Sequence, residues 1–196
     1  MYTFDHDLFL WLNFDGGAVL DAIMLTLSKP IFWTWLYLIM LSIVWRKEGW
    51  RTVLLFVVAL ALSVVAADMI AGIFKHTGLL GGLWESFPAR LRPMYTPELE
   101  GEVHFVKLGG KFGTVSAHAG TMAAVAVVAI GAIRRRWFSW LMVSAVVLVC
   151  YSRIYLGYHF PVDIVLGLLT GVVSGAVMLA AYRYIRRHYI IQRPKE

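Results

Sequence analysis

Cysteine and charged side chains are scarce in this sequence. Its 196 residues include a single cysteine, Cys150, so disulfide pairing gives no information about the cellular compartment, and only 15% are Asp, Glu, Lys or Arg. There is no internal repeat and no low-complexity segment, and the length suits one compact domain. A basic N-terminal region, with which a secretory signal peptide begins, is also missing, because residues 1–17 are acidic. We therefore expect no cleaved leader.

Apolar residues, in contrast, are abundant and come in long blocks. They make up 60% of the chain, against about half of an ordinary soluble domain, and the mean hydropathy is +0.70. The blocks cover residues 31–45, 50–74, 118–133, 137–151 and 161–184. A helix of about 20 apolar residues crosses the hydrocarbon core; the second and fifth blocks reach this length, and the others reach it with a flanking turn. The sequence predicts an all-α, polytopic membrane helix bundle with five core transmembrane helices.

The segment before the first block is interpreted as lying on the membrane. Residues 4–13 and 18–27 are predicted to form two short amphipathic helices at the interface, with Pro30 opening the first span. A bilayer-crossing hairpin is the alternative, and it would raise the number of spans to six. We predict a single membrane-embedded domain over residues 1–196, with interfacial helices in 1–29, the transmembrane core in 30–184 and a basic tail in 185–196.

Positive charge marks one side of the predicted bundle. Residues 46–51, 134–136 and 183–196 would lie on the same side, and they contain eleven of the eighteen lysines and arginines but only two acids. The positive-inside rule puts this side, and with it the C-terminus, in the cytoplasm. We expect the protein in the inner (cytoplasmic) membrane, and we attribute the net charge of +6 to topology and anionic lipid, not to nucleic-acid binding.

Several polar residues are then expected together at the opposite, periplasmic end. His159 and Asp163 are four residues apart where the fifth block begins, so both side chains would lie on one helix face. An aspartate beside a histidine fixes the imidazole tautomer and raises the basicity of the other ring nitrogen. The alternative is that Asp163 only caps the helix, beside an interfacial histidine.

Three cations are expected at the same end: Arg153, Arg92 and Lys75. Each alone is typical of a membrane-interface anchor, but three together need an anion, and phosphate suits both guanidinium and ammonium groups. Ser116 is predicted as the N-cap of the third block, where free backbone amides favour an anion; plain capping is the alternative. His118 lies in the first turn of that helix.

This set of residues fits phosphoryl transfer through a histidine. Cations and helix amides would neutralise the phosphate, one imidazole would be the nucleophile, and the second would protonate the leaving oxygen. The clustered carboxylates that a magnesium site requires are missing from this set, so we expect no metal and no cofactor.

Three short motifs resemble those of the type 2 phosphatidic acid phosphatase superfamily. Ser152-Arg153, His159 and Asp163 match the third family signature in all four residue types and in their distances. The stretch Val115-Ser116-Ala117-His118 resembles the second signature, usually Pro-Ser-Gly-His. Arg92-Pro93 resembles the end of the first, usually Lys, six residues, Arg-Pro.

The resemblance covers residues 68–167 and implies a role for each matching residue. His159 would form a phosphohistidine, oriented by Asp163, and His118 would protonate the leaving group and then help to activate water. The phosphoryl oxygens would be bound by four side chains: Arg153, Arg92, Lys75 and Ser116.

Two features depart from the family pattern. Val115 and Ala117 replace the usual proline and glycine, and sixteen residues, in place of six, separate Lys75 from Arg92. We interpret residues 76–91 as an inserted loop that contacts the lipid part of the substrate; a structural plug is the alternative. Within it, Arg90 competes with Lys75 for the role of the motif lysine.

Together these features predict a metal-independent lipid phosphatase with its active site at the periplasmic face. Undecaprenyl diphosphate or a lipid A phosphate is the expected substrate, and phosphatidylglycerophosphate or phosphatidate is the alternative for the same mechanism. Two non-enzyme alternatives are a membrane cytochrome, with His118 and His159 as axial haem ligands, and a phosphate-binding transporter. The expected partners are the lipid substrate and the bilayer, and the sequence does not give the oligomeric state.

Overall fold

The computed structural model describes residues 2–74 and 90–191, and within them the chain is mainly helical. Seven α-helices occupy these residues: α1 (Tyr2–Leu12), α2 (Gly17–Leu27), α3 (Thr34–Glu48), α4 (Trp50–Ile73), α5 (Ala117–Ile133), α6 (Arg136–Tyr155) and α7 (Pro161–Ile185). The described segments also contain short 3-10 turns at Pro30–Trp33, Pro93–Tyr95 and Pro97–Leu99, and a π-helical turn at Arg186–Ile191.

The predicted all-α membrane bundle is confirmed. Three helices, α4, α6 and α7, are long and apolar enough to cross a membrane. Helix α5 has 17 residues and α3 has 15, so both need a flanking turn, and the 3-10 turn Pro30–Trp33 leads directly into α3. Helices α1 and α2 are together long enough for a further span, broken by a bend of 113°. The position of this pair relative to the bilayer stays a prediction, as does the division into one domain.

The outward faces of the long helices are apolar, as a lipid environment requires. Only 28% of the apolar part of α4 is buried inside the protein, and its side chains Leu54, Leu62 and Met69 are more than half exposed. Exposing apolar surface to water costs about 25 cal/mol per Å² of free energy, and this cost is absent where the surface contacts lipid hydrocarbon chains. The protein is therefore a membrane protein.

The hydrophobic core lies among the five helices α3 to α7. Phe56, Phe138 and Met142 are among its fully buried side chains. A second cluster contains Phe9 of α1 and Phe160, whose rings meet edge to face with centres 5.2 Å apart. This second cluster fastens the N-terminal helix to the start of α7.

A buried asparagine holds the N-terminal helices onto α6. The Asn13 side chain, just after α1, donates to the carbonyl oxygens of Ile154 and Tyr155 at 3.0 and 2.7 Å, and its oxygen accepts from the His104 amide at 2.8 Å. The last carbonyl groups of a helix have no partner within that helix. Asn13 therefore supplies donors to the end of α6 and makes α1 an integral part of the bundle.

Helices α5 and α7 are packed backbone to backbone. Gly167, Gly171 and Gly175 recur every four residues on the face of α7 that meets α5. A Cβ atom on Gly171 would lie 2.1 Å from the Gly120 carbonyl oxygen, and one on Gly167 would lie 2.4 Å from that of Ser116. Small residues let membrane helices approach closely, so this seam holds the start of α5 against the N-terminal half of α7.

We expect Gly171→Ala to destabilise the protein. The added methyl group has no room beside the Gly120 carbonyl, and overpacking of this kind costs about 1–3 kcal/mol. Gly72→Ala is the matched control, because a Cβ atom there meets nothing within 4 Å. Thermal unfolding in detergent should give a lower midpoint for Gly171→Ala and an unchanged or higher midpoint for Gly72→Ala; equal midpoints would contradict the close packing.

Candidate active site

His159 and Asp163 are in contact and almost completely buried. The His159 Nδ1 and Asp163 Oδ2 atoms are 3.5 Å apart, and the two residues are 4% and 1% exposed. Asp163 Oδ2 also accepts a hydrogen bond from the Phe160 amide at 3.0 Å. The carboxylate therefore caps the first turn of α7 and faces the imidazole at once, so the two roles that the sequence offered as alternatives coexist in one side chain.

The contact has a different cause from the one predicted. The prediction placed both side chains on one helix face, but α7 begins at Pro161, so His159 precedes the helix. Gly157, with φ +70°, lets the chain reverse after α6. Phe160 then has an extended backbone, and its hydrogen bond to Asp163 folds the carboxylate back toward the histidine. An N-cap turn, not a shared helix face, makes the pair.

The other oxygen of Asp163 is bound by Arg90. Arg90 Nη1 donates to Asp163 Oδ1 at 3.2 Å, and Nη2 donates to Asp5 of α1. Asp5 Oδ1 accepts in turn from the Val162 amide at 3.1 Å. The contacts thus run in the order Asp5, Arg90, Asp163, His159. Arg90, considered in the sequence as a substitute for the motif lysine, binds the aspartate.

Arg92 and Arg153, both expected to bind phosphate, approach the same aromatic ring. Their guanidinium carbons lie 5.6 and 4.2 Å from the centre of the Tyr158 ring. Arg153 is only 7% exposed, and its Nε has no acceptor among the described residues. Burial lowers the pKa of the Arg92 guanidinium, which still stays charged near neutral pH. Two guanidinium groups on one ring are suited to share an anion.

Gly113 lies close to both Arg92 and His159. A Cβ atom on Gly113 would lie 2.9 Å from Arg92 Cγ and 3.1 Å from His159 Cε1. The two chain segments that meet here are held by an antiparallel bridge between Leu91 and Phe112. A candidate phosphate ligand and the candidate nucleophile thus approach the same point of the backbone.

Ser116 is confirmed as the N-cap of α5. Its side-chain oxygen accepts from the Ala119 amide at 3.4 Å. Its own amide donates to the Asp163 carbonyl oxygen at 3.1 Å, so the starts of α5 and α7 are joined directly. Because the amides of a helix N-terminus favour anions, this junction places a second source of positive potential next to Asp163.

His118 lies on the wall of a cavity of about 440 Å³. The cavity is bounded by the end of α2 and by α3, α4, α5 and α6, and its other lining residues are mostly apolar, with Asp68 among the polar ones. Ser28, also on its wall, accepts a hydrogen bond from Arg153. The cavity therefore connects apolar helix surfaces with His118, and Ser28 on its wall contacts Arg153.

One expected site residue, Lys75, lies outside the described residues, as do residues 76–89 of the interpreted loop. Sequence reasoning, for its part, missed Asp5 and Ser28. Both come from the N-terminal helix pair. The signal for Asp5 was an acid in an otherwise apolar helix, and no local pattern marks Ser28.

A separate group in the described residues has ligand atoms close enough to share a metal ion: Asp15, Asp21 and His104. His104 Nε2 lies 2.9 Å from Asp21 Oδ1, and the same oxygen accepts the Tyr155 hydroxyl at 2.7 Å. These hydrogen bonds link α2 to α6 and to the segment before α5. The group is distinct from the residues that carry the contact between His159 and Asp163.

Comparison with known proteins gives relatives over nearly the whole chain. A lipid A 4'-phosphatase of Porphyromonas gingivalis is 29% identical over 191 residues, which cover 95% of this chain and 76% of that protein. A lipid A 4'-phosphatase of Bacteroides thetaiotaomicron is 30% identical, over 87% of this chain and 73% of that protein. An undecaprenyl-diphosphatase of Sulfolobus acidocaldarius is 27% identical, over 86% of this chain and 73% of that protein.

A solved structure and a family model agree with these relatives. The crystal structure of Aquifex aeolicus LpxE has the same fold, with a TM-score of 0.60, 21% sequence identity, and coverage of 89% of this chain and 93% of that one. The model of the PAP2 superfamily matches residues 52–187, a range that includes His118, Arg153, His159 and Asp163. The chain belongs to the PAP2 superfamily.

Proposed function

We propose that this protein is a metal-independent lipid phosphatase in which His159 is the nucleophile. The observation that carries the proposal is the buried contact between His159 Nδ1 and Asp163 Oδ2, at 3.5 Å, with Arg92 and the His159 ring both next to the Cβ position of Gly113. Because Nδ1 faces the carboxylate, the attacking atom is Nε2. A carboxylate in this position orients the imidazole and stabilises the positive charge that it gains on attack.

The reaction has two steps. In the first, His159 Nε2 forms a bond to phosphorus, the bond from phosphorus to the lipid oxygen breaks, and His118 gives that oxygen a proton. In the second, His118 takes a proton from water and the water oxygen forms a bond to phosphorus. The bond between phosphorus and His159 Nε2 breaks, which releases phosphate and restores the imidazole. Arg92 and Arg153 neutralise the phosphoryl oxygens in both steps, where charge accumulates in the transition state.

Two further phosphate ligands are proposed, Ser116 and Lys75. Ser116 begins α5, whose positive N-terminal end favours an anion. Lys75 follows two residues after the end of α4 in the sequence, and its assignment rests on the resemblance to the first family motif.

The substrate that we favour is a lipid A phosphate, with undecaprenyl diphosphate second. Two of the relatives are lipid A 4'-phosphatases and the third is an undecaprenyl-diphosphatase. Both lipids join a phosphate to long hydrocarbon chains, and the mostly apolar cavity beside His118 suits such a chain. Phosphatidylglycerophosphate and phosphatidate are alternatives of the same chemistry.

We propose that the site faces the periplasm from the inner membrane. Helix α7 runs from Pro161, beside His159, to Ile185, so the basic residues that follow it lie at the opposite end of the bundle. Arg134–Arg136, after α5, lie at that end as well. The positive-inside rule assigns this end and the C-terminus to the cytoplasm.

The purified wild-type protein should release phosphate from lipid A in detergent with EDTA present. His159→Ala should lower the rate by roughly three orders of magnitude or more, because the nucleophile is lost. His188→Ala is the matched control, since His188 is an exposed histidine in the turn after α7. Acid-labile, alkali-stable phosphate should also be trapped on the wild-type chain and not on His159→Ala.

Three results would count against this proposal. Equal phosphate release by wild type and His159→Ala would exclude His159 as the nucleophile, and inhibition by EDTA would indicate a metal. A Soret absorbance band in the purified protein would favour the membrane cytochrome. A panel of lipid A, undecaprenyl diphosphate, phosphatidylglycerophosphate and phosphatidate, assayed with the same preparation, would rank the substrates.

Gly113→Ala should reduce phosphatase activity without unfolding the protein. The new methyl group would push apart Arg92 and His159, and small misplacements of catalytic groups cost about 10- to 100-fold in rate. Gly110→Ala is the matched control in the same loop, because a Cβ atom there meets only Arg92 Nη2, at 4.0 Å. Equal values of kcat/KM for the two variants would argue against this placement of Arg92 next to the nucleophile.

A further inference from the structure

A chain of charged side chains leads from the N-terminal helix to the candidate nucleophile. Arg90 lies between two carboxylates, with one terminal nitrogen 3.2 Å from Asp163 Oδ1 and the other bound to Asp5. Asp5 and Asp163 are 3% and 1% exposed, and the Arg90 side chain is 15% exposed. Charges withdrawn from water to this degree must compensate one another. One arginine here compensates two acids.

The two oxygens of Asp163 have different partners. Oδ1 accepts from Arg90, and Oδ2 accepts from the Phe160 amide and faces His159 Nδ1. Contacts at both oxygens fix the plane of the carboxylate and, through it, the orientation of the imidazole. Arg90 thus holds Oδ1 and leaves Oδ2 turned toward His159 Nδ1.

Arg90 itself is held in place from two directions. Its guanidinium carbon lies 3.9 Å from the centre of the Phe160 ring, and Phe160 is also stacked on His6 of α1, with ring centres 4.8 Å apart. Asp5 is fixed in turn by the Val162 amide at 3.1 Å. Helix α1 thus contacts both the arginine and the start of α7.

We propose that Asp5 and Arg90 are positioning residues for catalysis: Asp5 holds Arg90 against Asp163, and Arg90 holds the carboxylate in the orientation that serves His159. The inference rests on the proposed phosphatase function. It gives α1 a part in the reaction, although Asp5 lies outside residues 52–187, the range that matches the PAP2 superfamily model.

The test separates positioning from folding by comparing Arg90→Gln with the double variant Asp5→Asn, Arg90→Gln. The single variant removes the cation that contacts both Asp5 and Asp163, so both the unfolding midpoint and kcat should fall, kcat by about 10- to 100-fold. The double variant removes the uncompensated charge of Asp5. Its unfolding midpoint should therefore recover toward the wild-type value, while its kcat should stay low and its KM should change little.

Two further variants complete the comparison. Asp7→Asn, an exposed aspartate on the same helix, is the matched control for Asp5→Asn and should keep the wild-type midpoint and kcat. Arg90→Lys restores one positive charge but not the two-pronged contact, so it should regain part of the kcat that Arg90→Gln loses.

If the double variant recovers both the unfolding midpoint and kcat, Arg90 has only a structural role and the inference is overturned. A wild-type kcat in Arg90→Gln would overturn it as well. His159→Ala is assayed alongside so that the two proposals fail differently. If His159→Ala is as active as wild type, the proposed function itself is wrong. If His159→Ala is inactive and the Arg90 variants have full kcat, the function stands and the positioning role is refuted.

Discussion

A carboxylate buried at the end of a membrane bundle must be surrounded by hydrogen-bond donors, and the structure around Asp163 meets this constraint. Its side chain is bound by the Phe160 amide and by Arg90, and faces His159. Its backbone oxygen accepts from the Ser116 amide. An unpaired buried charge is strongly unfavourable, so these groups, from the segment before Pro93, from α5 and from the turn before α7, must converge whenever the chain folds.

Much of the fold followed from the sequence because a bilayer allows few solutions. Every backbone polar group in hydrocarbon needs an internal partner, so long apolar blocks must become helices. The block at residues 50–74 corresponds to Trp50–Ile73, and that at 161–184 to Pro161–Ile185. The block at 137–151 gains the expected flanking turn, because α6 continues through Arg153 to Tyr155. The apolar block ends at residue 151 because the next two residues, Ser152 and Arg153, are polar, although both are buried within the protein.

Residue spacing alone predicted the part of the site whose residues are close in sequence, whereas Arg92 and Arg153 were expected together from topology and from the family motifs. His159 and Asp163 form one local turn, and Ser116 is an N-cap that its own neighbours define, so spacing was sufficient for both. Arg90 and Asp5 are 85 positions apart, and their pairing depends on how α1 packs against the start of α7. No periodicity in a single chain carries that information. The same holds for Ser28 and Arg153, which are 125 positions apart.

The contacts of Asp5 impose an order on biosynthesis. Asp5 is synthesised before its partners, because Arg90 and Val162 follow it 85 and 157 positions later. Contacts between segments this distant form late, and domains in nascent chains assemble as their segments emerge. Helix α1 therefore lacks both partners of Asp5 until the start of α7 has been synthesised. Until then the contacts that run from Asp5 through Arg90 to Asp163 are incomplete.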